Sequence, residues 1–575
     1  MNFLRVNMSS KKITTEEADE KYRLLGNRGL IAQLSFDEID PKCDPLGPNN
    51  KLIIATSPLD GFGITCAGRL SVGGKSPLTG GIKEANAGGV AATKLVRQGI
   101  KAIIVEGMSQ NGELYILHIH KGGAQLEPAK AIAGKGTYSV AEKVYEEYGR
   151  GAGLITIGPA GEYRLASAGV FINDTEGDPS RPAARGGMGA VMGTKGLKAI
   201  VIEDDGTYKP PVFNEKALSE ARKAFSKGII EEPAIKVYTE YGTMGMLMSL
   251  NALSGLPTLN FRKGTWEKAE EISGDRFHDL ILERGGEGKI THKCMPICVI
   301  QCSNVFPDAK GKKLIAPLEF ECAGLLGSNL GIADLDQIAR LTKMCNDIGV
   351  DAIEVGAALG VAADAGLFEF ADGKRAEELI GEIGRGTPLG RILGSGATVT
   401  GKVFGVLRVP AVKGQAMAAH DPRGIKGMSV TYSMSPMGAD HTAAATYRAQ
   451  IDHHKPEGQM EVSRNVQVIM AFYDNCCCMF VSRGLIKKPE LFVNLINAIY
   501  GTNYGTDYLM ELGKEIIKLE RAFNLAAGVT QEYLPEFMKI EKLEPHGLTS
   551  DIPQSDYDRF WEEAFWGKFP ELKQG

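Results

Sequence analysis

Cys294-Met-Pro-Ile-Cys298-Val-Ile-Gln-Cys302 spaces three thiols four residues apart, and Cys476-Cys477-Cys478 follows far down the chain. Three clustered thiolates and a remote fourth suit an iron–sulfur cluster, which takes soft ligands and pins two parts of a fold to one cofactor. A structural zinc site usually has paired CxxC knuckles, and none occurs here. The other alternative is a group of buried thiols. Spacing does not choose among the last three cysteines.

At 575 residues the chain is too long for one core, so two to four domains are expected. Apolar (43 %) and charged (23 %) fractions are those of a globular protein. Glycine is in excess, 71 residues, in clusters without a period. Such clusters indicate tight turns and close approach of backbone to a ligand. The net charge is −5 with mixed signs, and no basic tract supports nucleic-acid or anionic-membrane binding. No apolar run reaches membrane-spanning length, and Met1 to Lys12 has no leader-like pattern. A cytoplasmic protein is expected, with its ten cysteines serving as metal ligands or core thiols rather than disulfides.

Residues 1–208 read as a mostly β domain. An opening hairpin (Leu4 to Asn7, Lys11 to Thr14) precedes strands at Lys51 to Thr56, Ala102 to Glu106, Leu114 to His118, Leu154 to Ile157 and Ala199 to Glu203. Glu84 to Gln98 reads as a helix. Three glycine-rich stretches stand out: Arg69 to Gly81, Asn86-Ala87-Gly88-Gly89, and Arg181 to Lys195 with Arg185-Gly186-Gly187. Bare amides and arginines make phosphate cradles. The first lacks the leading glycine of a Walker A loop, and the third misses the dinucleotide spacing by one residue. Three such stretches in one domain, two with arginine, favour an anionic cofactor over plain turns.

Residues 209–410 read as a helical domain carrying the three-cysteine motif. Asp334 is the expected N-cap of a helix from Leu335 to Ile348, with Cys345 on its inner stripe and Gly349 at its end. Residues 411–575 read as a second helical domain holding His420-Asp-Pro-Arg423, Asp440-His441 and the last cysteines. His420 and His441, two histidines with acidic neighbours in consecutive polar loops, are acid–base candidates, His441 the one preferred, together with the carboxylates Glu319 and Glu321. The Asp-Pro-Arg context of His420 reads as a structural turn.

In order and spacing, these segments resemble the aldehyde ferredoxin oxidoreductases, tungsten enzymes with a bis-pterin cofactor. The likeness rests on Arg69 through Lys75-Ser76-Pro77-Leu78-Thr79-Gly80, Asn86 to Gly89 and Gly158-Pro-Ala-Gly-Glu162. It rests also on Arg185 to Gly193, Gly349-Val-Asp351, His420 to Gly424 and Asp440-His441. It implies an α+β multidomain protein: an N-terminal β-sheet pterin-binding domain followed by two mainly α-helical domains. Arg69, Asn86 to Gly89 and Ala184 to Gly187 would face the pterin phosphates and a bridging Mg2+. Asn346, Asp351 and Asp474 would bind the pterin rings, with tungsten (or molybdenum) held by the pterins alone. Cys294, Cys298, Cys302 and Cys478 would hold one 4Fe-4S cluster; Cys478 is chosen because Phe480 follows it as in the family. The family's common CxxCxxxC is CxxxCxxxC here. With no histidine between His292 and His420, the iron site that bridges subunits in some members is expected to be missing.

The reaction so implied is oxidation of an aldehyde to a carboxylic acid. His441 would move a proton, Glu319 or Glu321 would activate water, and ferredoxin or a similar carrier would accept the electrons. A homodimer or an electron-transfer subunit is the expected assembly. The alternatives are another low-potential tungsten reaction, like that of the related benzoyl-CoA reductase subunit, and a noncatalytic iron–sulfur electron-transfer subunit.

Overall fold

The computed structural model of the chain describes residues 1–572. Its first 202 residues form two six-stranded sheets. The strands are β1 (Asn2–Asn7), β2 (Lys12–Glu17), β3 (Leu52–Thr56), β4 (Leu70–Lys75), β5 (Ile82–Ala87), β6 (Ile100–Glu106), β7 (Tyr115–His120), β8 (Gly123–Pro128), β9 (Gly153–Thr156), β10 (Val170–Ile172), β11 (Arg181–Ala183) and β12 (Leu197–Ile202). The orders are β2-β1-β6-β3-β4-β5 and β11-β10-β9-β12-β7-β8. Both sheets are mixed, with β1 parallel to β6 and β7 parallel to β12.

Period-two alternation explains the layering. Leu4, Val6, Leu52, Ile54, Ile103 and Val105 face Leu117, Ile119, Ile155, Ile200 and Ile202 in one core between the sheets. The opposite face of the first sheet, with Phe3, Ile53 and Ile104, packs on Leu30, Ile31 and Leu34 of the helix Asn27–Glu38. The opposite face of the second, with Ile116, Leu154 and Val201, packs on Val140 and Val144 of Thr137–Tyr148. Strands covered on both faces carry the apolar runs Leu52 to Ala55 of β3 and Ala199 to Ile202 of β12.

The helix expected from Glu84 to Gln98 is half strand. Glu84 to Ala87 belong to β5, paired with β4 in the register Ser71↔Asn86 and Gly73↔Glu84. Only Ala91–Arg97 is helical. Gly88-Gly89 separates the two, and Gly89 takes a φ of +112° that other residues resist. The stretch Arg69 to Gly81 is likewise the body and turn of the β4–β5 hairpin rather than a loop.

The rest of the chain is mainly helical. Asp334 caps Leu335–Ile348 as expected, and Cys345 is buried. Gly349 ends that helix, and Asp351 caps the next, Ala352–Asp364, by accepting from the Ile353 amide at 3.0 Å. This corner is where helices meet sheet. The Asp351 amide donates to Ser167 O, Gly169 N donates to Gly349 O, and Ala168 bridges Val350. Gly158 lies so close that a Cβ there would fall on the Ile348 carbonyl.

A Gly158→Ala exchange is therefore expected to force the two layers apart and cost about 1–3 kcal/mol. A lower thermal midpoint checks it, and an unchanged one would show that the corner gives way freely.

Candidate active site

The β4–β5 hairpin presents a polar row inward. Glu84 and Asn86 are two apart on β5 and share a face, opposite Ser71 of β4. Ser71 Oγ donates to Glu84, and Asn86 Nδ2 donates to Ser71 Oγ at 2.9 Å. Arg69 donates through Nε to the Asn86 side chain and through Nη2 to its carbonyl at 3.2 Å.

Two adjoining cavities of about 270 Å³ each open on this row. Arg69, Asn86, Glu319, Glu321 and His441 line both, so they form one continuous space. The first is bounded also by Ala184, Arg185, Asn346, Asp351 and Asp474. The second is bounded by Gly88, Cys294, Cys302 and Cys478. Four of the expected residues lie behind this lining. Cys298 is buried beside Cys294, its Sγ 3.8 Å from that of Cys66. Gly89 donates its amide to Cys294 O at 2.9 Å. Gly186 accepts from Ser76 Oγ at 2.7 Å, and Gly187 caps the helix Met188–Lys195. Gly88 has a steric reason to be glycine, since a Cβ would stand 3.0 Å from Cys294 Sγ. Cys476 and Cys477 are buried in an apolar cluster and do not line the cavity.

Buried ion pairs fix the walls. Arg185 Nε pairs with Asp351 at 3.2 Å, and its other nitrogens donate to Ala439 O and Ala416 O. Lys83 pairs with Asp440, both almost inaccessible. Arg28 spans Glu520 at 2.8 Å and Asp474 at 3.3 Å. Burial pushes the Asp351 carboxyl up against the pull of Arg185. Burial also raises Asp440, but Lys83 and Arg185 overcome it and hold that carboxyl far below its usual range.

At the seam of the cavities Glu321 sits between two histidines. Its Oε1 is 3.1 Å from His420 Nε2 and 3.5 Å from His441 Nε2, while Oε2 accepts from the Ala419 amide at 2.7 Å. The turn expected at His420 exists, held by Arg423 on Asp421 at 2.7 Å. The ring of His420 nonetheless belongs to the site. It stacks on Tyr447 at 4.3 Å and thereby aims at Glu321. The turn fixes its backbone, and the stack on Tyr447 holds its ring beside Glu321. One ligating atom from each of Glu321, His420 and His441 lies within 4.8 Å of the others.

Burial tunes these groups apart. For Glu321 it raises the carboxyl, but His441 and His420 prevail and bring it to about 2. For His441 burial lowers the imidazole and prevails over Glu321 and Asp440. Glu319 is pushed up by burial, with the Thr243 hydroxyl donating to it in opposition. Glu84 is also pushed up, by burial and by Asp474.

Sequence reasoning missed Glu84, Lys83, Thr243 and Arg448. Only Glu84 left a trace, its two-residue offset from Asn86, and that was hidden by reading the segment as a helix.

Paired β-sheets and helical domains thus close on one cavity that carries charged side chains along its length and thiols at one end. The family models "Aldehyde ferredoxin oxidoreductase, N-terminal domain" and "Aldehyde ferredoxin oxidoreductase, domains 2 & 3" match residues 3–204 and 220–566. The chain belongs to the aldehyde ferredoxin oxidoreductase family, and that family implies a tungsten bis-pterin cofactor. It is 31 % identical to the tungsten-containing aldehyde ferredoxin oxidoreductase of Pyrococcus furiosus, over 99 % of this chain and 97 % of that protein. It is also 31 % identical, at the same coverage, to that of Thermococcus kodakarensis. An aliphatic sulfonate oxidoreductase, WOR-like subunit, of Pyrococcus furiosus is 26 % identical over 91 % of this chain and 86 % of its own. Among solved structures, the active site complex BamBC of benzoyl coenzyme A reductase with 1,5-dienoyl-CoA shares the fold. The TM-score is 0.79 at 18 % identity, over 98 % of this chain and 93 % of that one.

Removing Lys83 should expose how much the cavity wall depends on its pairs. Lys83→Met leaves Asp440 charged and buried, an expected loss of about 3–5 kcal/mol. The Lys83→Met, Asp440→Leu double variant should recover most of it. Urea unfolding of all three proteins checks this, and additive losses would deny the coupling.

Proposed function

We propose that this chain is a tungsten-pterin, iron–sulfur oxidoreductase that oxidises an aldehyde to the carboxylic acid, with ferredoxin or a similar carrier as electron acceptor. The observation that carries the reading is the shared cavity. Groups suited to a pterin and thiols suited to a cluster open on one space, with Glu321 and His441 between them. Support for the substrate comes from the names of relatives that match the whole length of the chain. The location we propose is cytoplasmic; among the described residues no helix is long and apolar enough to cross a membrane. A homodimer or a dedicated electron-transfer subunit would complete the route to the carrier.

The residues fit the implied groups. Arg69 and Arg185 line the cavity and bring positive charge suited to pterin phosphates, whose bridging ion would be Mg2+, with their nitrogens donating here to Asn86 and to Asp351, Ala439 and Ala416. The Gly88-Gly89 and Gly186-Gly187 segments let backbone approach closely. Asn346, Asp351 and Asp474 offer polar atoms on the helical side. Cys294, Cys298, Cys302 and Cys478 supply the four thiolates of a 4Fe-4S cluster, with Cys294 abutting Gly88.

When bound, the tungsten bis-pterin supplies the acceptor for the two electrons of the oxidation. Aldehyde and water give carboxylic acid, two electrons and two protons. His441 is neutral at neutral pH because burial lowers its imidazole, so it can take a proton as water adds to the carbonyl carbon. Glu321 keeps its charge beside both rings and stabilises the imidazolium that results. His420, on the far side of Glu321, offers the proton a second station. Glu319, pushed up by burial, is suited to hold a proton or to orient the water.

Anaerobic purification with tungsten, pterin, iron and sulfide analysis, joined to aldehyde-dependent dye reduction, tests the whole reading. Iron and sulfide without tungsten or pterin would make the chain an electron-transfer subunit. A full complement that ignores aldehydes but supports a low-potential reduction would favour the benzoyl-CoA-reductase-like alternative.

His441→Asn is expected to lower turnover by about 10²–10⁴ with metal content kept. In the unaltered enzyme kcat/KM should fall on acidification through an imidazole titrating below the ordinary 6.5. Protonation there removes the base, so the limb lies on the acid side and should vanish in the variant. Normal turnover in His441→Asn would remove it from the chemistry.

Cys478→Ser is expected to abolish or alter the paramagnetic signal of the reduced cluster, and Cys345→Ser to leave it intact. A change at Cys476 or Cys477 with none at Cys478 would reassign the fourth thiolate.

A further inference from the structure

Arg448 is a buried cation that meets no carboxylate. Its backbone and stem are part-exposed, but all three guanidinium nitrogens are inaccessible and none has a hydrogen-bond acceptor among the described residues. The head group sits in an aromatic cage, 5.6 Å from the Tyr238 ring, 5.2 Å from Tyr447 and 5.3 Å from Phe480. Attraction to three rings offsets little of the cost of removing an unpaired ion from water. Such a charge needs a resident anion.

The cage opens on the cavity end that holds the thiols, with Arg448 and Phe480 in one lining with Cys294, Cys302 and Cys478. Phe480 follows Cys478 by two residues, which sets one wall of the cage on the Cys478 side of that lining. Arg181 pairs with Asp174 at 3.3 Å, while Arg69 donates to the neutral Asn86 amide and keeps its charge toward the same thiols, so Arg448 is a second cation at this end. A cluster held by four thiolates is a net anion and gains one more negative charge on reduction. Net charge and hydrogen bonds to sulfur are the levers that set its potential.

We propose that Arg448 is the counter-ion of the iron–sulfur cluster, seated on its Cys478 side, and that it raises the cluster's reduction potential. The inference rests on the cluster reading above. In the step concerned the oxidised cluster takes one electron from the aldehyde oxidation and yields it to the carrier. No bond forms or breaks. Arg448 stabilises the added charge, and the aromatic cage keeps water from screening it. Tyr447 holds Arg448 on one side and His420 on the other, so the electron end and the proton end of the site share one side chain.

The test is the ratio of reduced to oxidised cluster in the holoenzyme at a fixed poise, read by its paramagnetic signal across a mediator titration. Arg448→Met should lower that ratio about tenfold or more, which is 59 mV or more for a one-electron couple. Arg448→Lys keeps the charge and should stay within about threefold of the parent. An unchanged ratio in Arg448→Met overturns the proposal, as does a lysine variant as low as the methionine one. If the methionine variant holds no iron, the lysine variant and Arg448→Gln decide by the same criteria. An unchanged ratio with a raised KM for a carboxylate-bearing aldehyde would put the anion on the substrate instead, and would also overturn it. A parent protein without iron and sulfide would defeat the cluster reading itself, a result distinct from a cluster whose potential ignores Arg448.

Discussion

Three buried cations of the β domain grip carboxylates of the helical part: Lys83 on Asp440, Arg185 on Asp351, and Arg28 on Glu520 and Asp474. The cavity exists because of these pairs. A buried pair adds little net stability over a well-packed apolar contact, yet it cannot be half-made without leaving a bare charge in a low dielectric. That asymmetry gives a specific docking of sheet against helices. Asp440 carries His441 with it, and Asp351 both caps a helix and binds Arg185. A single ion pair thus sets a helix start and a cavity wall together.

The proton end depends on close packing as much as on charge. Glu321 lies where a short helix, Phe320–Cys322, passes into a wide turn over Ala323–Gly327. Such widened turns leave backbone free to aim a side chain. Gly324 lets Ala419 come close, since a Cβ there would fall on the Ala419 methyl. The Ala419 amide can then hold Glu321 from behind while the carboxylate faces two imidazoles. Burial acts in opposite senses on the two kinds of group. It lowers His441, while Glu321, between two imidazoles and backed by the Ala419 amide, is held low despite its own burial.

At the other end the thiols, Arg69 and Arg448 share a wall. Cys294 comes from the loop after the short strand Lys289–His292, and Cys478 from the end of the long helix Gln459–Cys476. The Cys478 amide donates to Cys66 O at 3.0 Å, which ties that helix end to the β domain.

The sequence by itself determined the strands that alternate or run apolar, the helix from Asp334 to Gly349, and the sets of chemistry-bearing residues. Each depends on local period, capping or spacing, and those are written in neighbouring residues. The order of its glycine, arginine and cysteine segments also disclosed the family. Tertiary structure alone decided that Glu84 to Ala87 pair as a strand, because the partner that satisfies their backbone is β4. It set the His420 ring against Tyr447 and beside Glu321, contacts no spacing encodes. It put Cys478, the thiol that the family likeness had already singled out, on the cavity, while Cys476 and Cys477 stay in an apolar cluster. The same holds for Arg448, on which no local sequence signal bears. Only the folding of Tyr238, Tyr447 and Phe480 around it, from segments far apart, leaves its charge buried beside the thiols.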